Sequence, residues 1–300
     1  GKPVLAGLGL TFLYLLAPLF FLIHGTAIAW ALAGVVTLFA GLRLPSRTFL
    51  LCGFAVQLLG GALFVVAGSD FLASLASEGL RPLAHGRFWT PWVLGLAAGV
   101  GAWRLLQERP VAVLNQRLSA VLLLWGAGAW ALAWGSEVLR FAPADLQATL
   151  LLAVAALSVA LWAVLALRLE WPALGLLGTV LIPVAGVILL AAWHSRYHPA
   201  ADFAWLAWAA VFGVHFISLR RLAPMLPARA LSIAHVLGVW LLIGVLALEL
   251  RFGLLLLAEQ YNAWRWLGWA ILPSLYLVLM ASPRHWPWPV SAYPREYRLY

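Results

Sequence analysis

The sequence predicts an all-α, polytopic transmembrane helix bundle of about ten spans. Three observations carry this. Of the 300 residues, 65% are hydrophobic, against roughly 45–50% in a soluble domain, and a water-soluble fold has nowhere to bury the excess. Only 10% are charged, and these come in short clusters between apolar runs of about 20 residues, the length that crosses a bilayer as helix. The runs are continuously apolar and rich in Leu and Ala, whereas the strands of a barrel would alternate over about ten residues. A soluble enzyme, a disordered chain and a disulfide-rich module are excluded; Cys52, the single cysteine, lies in an apolar run and has no intramolecular partner.

In chain order the expected spans are 4–23, 25–42, 48–68, 88–103, 118–135, 147–167, 172–193, 203–219, 230–249 and 266–282. Lys2 before an apolar run imitates a signal peptide, but no small-x-small cleavage site follows, so 4–23 is read as a span. Because Gly1 is not an initiator methionine, the chain is expected to be part of a longer protein. Phe252 to Ala258 is too short to cross and either prolongs the preceding helix or lies along the interface; whether 250–265 adds a membrane-inserted segment is open. Residues 1–282 form the transmembrane domain, and 283–300 form an aromatic and basic cytoplasmic tail.

Ten spans place both ends on one side. That side holds Lys2, Arg43, Arg47, Arg104, Arg109, Arg117, Arg168, Arg220, Arg221, Arg229, Arg284, Arg295 and Arg298, with only Glu108, Glu170 and Glu296 as acids. The opposite side holds six arginines and seven acids. Basic residues concentrate in cytoplasmic loops, so N and C termini are expected in the cytoplasm. This distribution also accounts for the net charge of +9 without nucleic acid, which would require a basic face on a folded surface. Trp89, Trp92, Trp103, Trp171, Trp193, Trp264 and Trp266 fall near span ends and read as an aromatic belt at the headgroups.

The turns at Arg43, Arg104, Arg168 and Arg220 look alike and are 61, 64 and 52 residues apart. They suggest parallel helical-hairpin repeats near 25–68, 88–135, 147–193 and 203–249. The stretches Leu118-Ser119 to Glu137-Val138-Leu139-Arg140 and Leu231-Ser232 to Glu249-Leu250-Arg251 also correspond. Within the first hairpin, Ala27-Ile28-Ala29-Trp30-Ala31-Leu32-Ala33-Gly34, then Gly41-Leu42-Arg43 and Phe54 to Ala62, resembles a large bacterial multi-pass predicted-membrane-protein family of unknown function with recurring Trp-Ala-Leu-x-Gly and Gly-Leu-Arg patterns. The x is often Glu in that pattern and is Ala33 here, so no acidic role carries over to this position. The resemblance covers most of the chain, as the C-terminal part of a longer protein. It implies a bacterial inner (cytoplasmic) membrane location and supplies neither an activity nor a site residue.

No Asp, Glu, Lys or Arg falls in the middle of an expected span, which argues against an ion-coupled pump. Gln57, near the centre of its span, is read as an interhelical hydrogen-bonding group. His215 and His235 lie at similar depth on adjacent antiparallel spans, a candidate intramembrane polar pair able to hold a proton, or more simply a packing contact. The candidate outer-face polar site comprises Glu137, Arg140, His194, Arg196, His198, Asp202, Glu249 and Arg251. His194 and His198 have the i,i+4 spacing of metal ligands with Asp202 four residues on, but Pro199 breaks the helix that would align them; no metal is expected. Glu137 and Arg140, at i,i+3, suit a pair on one helix face, whereas the i,i+2 spacing of Glu249 and Arg251 does not. Gly95 to Gly99 offers a small-residue face for close packing within the chain. The segment from Phe71 to His85 reads as a short surface helix, either a lid or a connector. Aromatic and basic residues in the tail should hold it against an anionic leaflet.

The first functional expectation is a non-catalytic envelope component that binds or transports a lipid-like molecule or scaffolds membrane protein partners. The alternative is a membrane-embedded enzyme modifying a lipid-linked or polysaccharide substrate at the outer face. Membrane lipids are the expected partners, with membrane proteins possible and nucleic acid excluded. No P-loop, Rossmann, haem or iron–sulfur pattern is present, and no cofactor is expected.

Overall fold

The computed structural model describes residues 2–67, 79–107, 111–193, 198–257, 264–281 and 285–298, and among these the regular structure is helical. His194, Arg196 and most of the expected surface helix at 71–85 lie outside the described residues, as does 258–263. The helices pack as two compact units, residues 1–142 and 143–300.

The first unit contains α1 (Lys2–Phe20), α2 (Ile23–Arg43), α3 (Arg47–Ala67), α4 (Gly86–Leu105) and α5 (Val113–Phe141). Apolar side chains alone cannot hold helices together in lipid, so the hairpin of α2 and α3 relies on close backbone approach. Gly34 and Gly53 meet face to face: a Cβ on Gly34 would lie 2.8 Å from the Gly53 carbonyl, and one on Gly53 2.8 Å from the Gly34 carbonyl. Gly95 and Gly126 form the matching contact between α4 and α5, each Cβ position falling 3.0 or 2.9 Å from the other's carbonyl. The small-residue face at Gly95 thus packs within the chain. Gln57 is buried between the Gly34 and Gly101 contacts, and its amide has no hydrogen-bond partner among the described residues. This corrects the expected interhelical bond: glycine brings backbones close but presents no side chain to answer an amide.

The second unit contains α6 (Gln147–Arg168), α7 (Pro172–Leu177), α8 (Leu181–Ala192), α9 (Ala204–Leu222), α10 (Ala228–Leu257), α11 (Trp264–Met280) and the short α12 (Pro294–Tyr297). Its core joins Leu152, Ala156 and Val159 of α6, Leu181 and Ala185 of α8, Trp208 and Val211 of α9, and Leu248 of α10. The expected span 172–193 is interrupted by a 3₁₀ turn, Gly178–Val180. Pro183 has no N–H for the Thr179 carbonyl and crowds it, so the ladder tightens one turn earlier.

Among the described residues, seven helical stretches are long and apolar enough to cross a membrane: Pro3–Phe20, Ile23–Arg43, Arg47–Val66, Val113–Phe141, Gln147–Arg168, Pro172–Ala192 and Ala228–Leu256. The described residues therefore do not confirm the expected ten. Helices do form at the other three positions, but α4 and α9 mix Trp, Gly and Arg into their apolar runs, and α11 has only Ala270–Met280 as a short apolar stretch. The helix α5 has 29 residues and α10 has 30, about 44 Å at 1.5 Å per residue against a hydrocarbon layer of about 30 Å. Both helices are thus longer than that layer is thick, with Glu137 and Glu249 in their C-terminal halves. Residues 250–257 prolong α10.

Candidate functional site

Each unit carries one carboxylate that pins a turn-rich segment preceding a helical hairpin. In the first unit Glu137, near the end of α5, accepts the Leu83 N–H at 2.6 Å through Oε1. His85 Nε2 donates to its Oε2 at 3.0 Å, and Arg140 Nη1 lies 3.7 Å from the same oxygen, one turn along the helix. The site is closed to solvent, with Glu137 and Arg140 each 6% exposed and His85 9%. Leu83 has a φ of 59°, a left-handed conformation costly for a residue with a Cβ. Both its backbone polar groups are held, the N–H by Glu137 and the carbonyl by Trp89 Nε1 at 2.9 Å. Phe141 places its ring 5.8 Å from that of His85.

In the second unit Glu249 of α10 accepts from His198 Nδ1 at 3.0 Å and from the Ala200 N–H through the same oxygen. The His198 ring stacks on Phe252, with centroids 4.2 Å apart and planes within 10°. Here too the pinned segment contains left-handed residues, Asp202 and Phe203, with Thr149 of α6 donating to the Asp202 carbonyl at 3.0 Å. This site is more open: the His198 and Glu249 side chains are 34% and 27% exposed. Among the described residues, neither the Asp202 carboxylate nor Arg251 joins the pair. Of the described candidate residues, Glu137 and Arg140 belong to the first unit's pinned turn and His198 and Glu249 to the second's, and no three of His, Cys, Asp or Glu gather as a metal ligand set among the described residues.

His215 and His235 are both buried but do not bond to each other. His215 Nε2 donates to the Ala234 carbonyl at 3.0 Å, fitted against Gly238. His235 Nδ1 pairs with the Tyr297 hydroxyl at 2.9 Å, among the rings of Phe216, Trp288 and Tyr293. Their interhelical role is packing plus attachment of the tail. The tail does not lie free for a leaflet: Val290 and Tyr297 are buried with Val239 and Met280, and Ser232 donates to Glu296 at 2.8 Å. Arg220 covers the Trp288 ring at 5.4 Å, and Tyr276 donates to the Tyr297 carbonyl. Burial pushes the Tyr297 phenol well above its ordinary range, reinforced by Tyr276, Glu296 and Tyr293.

Sequence reasoning passed over a groove of about 820 Å³ between α1 and α2, with Phe49 contributed by α3. Its lining is apolar apart from Tyr14, Trp30 and Thr37. Trp30 Nε1 donates to the Tyr14 carbonyl at 2.8 Å. That carbonyl is available because Pro18, four residues on, has no N–H to return. The signal was Pro18 in α1 together with the tryptophan of the Trp-Ala-Leu motif.

No curated protein and no solved structure matches this chain. A family profile described as predicted membrane protein (DUF2339) matches residues 2–299. Nearly the whole chain, including the apolar helices and both pinned turns, is covered by that match, and the protein belongs to this membrane protein family of unknown function.

Proposed function

We propose that this protein is a non-catalytic inner-membrane component that takes a lipid-like molecule from the bilayer into the groove between α1 and α2. The single observation carrying this is the groove itself. Its volume falls within the range of small-molecule sites, and its walls are apolar with a few placed polar groups. Lipids have lateral access to helices whose outward faces carry exposed residues such as Leu13, Phe20 and Val36. The hairpins α4–α5 and α9–α10 are repeats in this reading, supported by the recurrence of His, Glu and Phe at each pinned turn. Cytoplasmic termini are supported by charge segregation within each unit: Arg43, Arg47, Arg104 and Arg117 cap one end of the first, opposite Glu137.

The enzymatic alternative would draw on His198 and Glu249, which keep partial exposure. Glu249 already accepts two hydrogen bonds that hold a turn, which favours a structural part for it. Native mass spectrometry of the full chain released from lipid nanodiscs tests the binding reading. A lipid adduct is expected on the wild type and its loss on Ala33→Trp, which fills the groove; an adduct that persists on a folded Ala33→Trp protein overturns it.

A further inference from the structure

The groove's hydrogen bonds fix which way its polar groups face. Thr37 donates its one hydroxyl proton to the Ala33 carbonyl at 2.8 Å, the back-bond that Ser and Thr make inside helices. The Tyr14 and Thr37 oxygens are 2.5 Å apart, and with the threonine proton committed, the phenol must be the donor between them. The Trp30 N–H is spent on the Tyr14 carbonyl. Every side-chain donor of the lining is therefore used inside the protein, and only acceptor lone pairs remain, foremost those of the Tyr14 phenol. Tyr14 is held at two points, its backbone carbonyl by Trp30 and its phenol by Thr37, which are seven residues apart on α2 and so share a face two turns apart. Tyr14 lies six residues before the end of α1 at Phe20, about 9 Å along the axis.

Resting on the groove as a lipid site, we infer that its ligand is a neutral amphiphile carrying a hydroxyl on a hydrocarbon body, with that O–H donated to Tyr14. A ligand offering only acceptors would set its oxygen against the phenol's lone pairs with no proton between them, and in an apolar site an unmet polar group is costly. A plain hydrocarbon would leave the phenol oxygen as it is and gain nothing from it. A hydroxyl gains one neutral hydrogen bond.

The test uses the full chain in nanodiscs with two photoactivatable probes, a long-chain alcohol and its methyl ether, which has the same oxygen without the proton. Wild type should label about fivefold more with the alcohol, the preference one net hydrogen bond supplies. Thr37→Val removes the phenol's acceptor and frees its proton for the ligand, so the ether should then label at least as well as the alcohol. A role for Thr37 in packing alone would not produce that reversal. Tyr14→Phe combined with Thr37→Val should label equally with both probes. Equal labelling of wild type, or an alcohol preference that survives Thr37→Val, overturns the selectivity while leaving the groove as a lipid site. Absence of labelling by either probe in wild type, or undiminished labelling in Ala33→Trp, overturns the groove reading and this one with it.

Discussion

Glu137 and Glu249 hold turns of similar kind but in different surroundings. Replacing Glu137 with Ala would leave Arg140 and His85 facing an emptied buried site and release Leu83 from its left-handed conformation. Removing one partner of a buried ionic site costs roughly 3–5 kcal/mol. The Glu249 pair is about a third exposed, and water replaces much of what its loss removes, so about 1 kcal/mol is expected there. Thermal unfolding in detergent should therefore show a much larger drop for Glu137→Ala than for Glu249→Ala; equal drops would contradict the structural part given to the first site. The corresponding stretches ending in Glu137 to Arg140 and Glu249 to Arg251 were visible in the sequence. His198 stood with Glu249 among the candidate outer-face residues, but His85 did not stand with Glu137, and neither pairing was legible because the partners lie 52 and 51 residues apart.

At the scale of elements, the tail shows how local composition and docking diverge. Its tyrosines and tryptophans suggest an interfacial strap, yet Tyr297 is 4% exposed and bonded to His235. A phenol whose folded pKa is raised stabilises docking fully below its free value of about 10, and that contribution is lost as pH rises through the folded value. Titrating tyrosinate absorbance should reveal a late-ionising component, well above about pH 10, that is smaller by one phenol in Tyr297→Phe. If Tyr297 titrates with the exposed tyrosines, the tail is not docked as described. The break at Gly178–Val180 was similarly latent in Pro183, whereas the pairing of Gly34 with Gly53 was not, since many glycines in apolar helices meet nothing.

For the whole molecule, sidedness is the consequence most open to measurement. On a Cys52→Ala background, an impermeant thiol reagent applied to intact cells should spare Arg221→Cys and modify Asp202→Cys; the reverse pattern would place the arginine-rich ends outside. The membrane class follows from the sequence alone because hydropathy and charge spacing act on each helix separately, without any partner. Helix positions were legible for the same reason, and the family resemblance added nothing about activity. Only the tertiary structure decided that the glutamates hold distant turns, that His235 anchors the tail while His215 bonds the Ala234 carbonyl, and that Tyr14, Trp30 and Thr37 close a donor-free groove. Those outcomes depend on which faces meet, and in lipid, where apolar surface is equally content against a neighbour or an acyl chain, that choice rests on close glycine contacts and a few hydrogen bonds that no local pattern encodes.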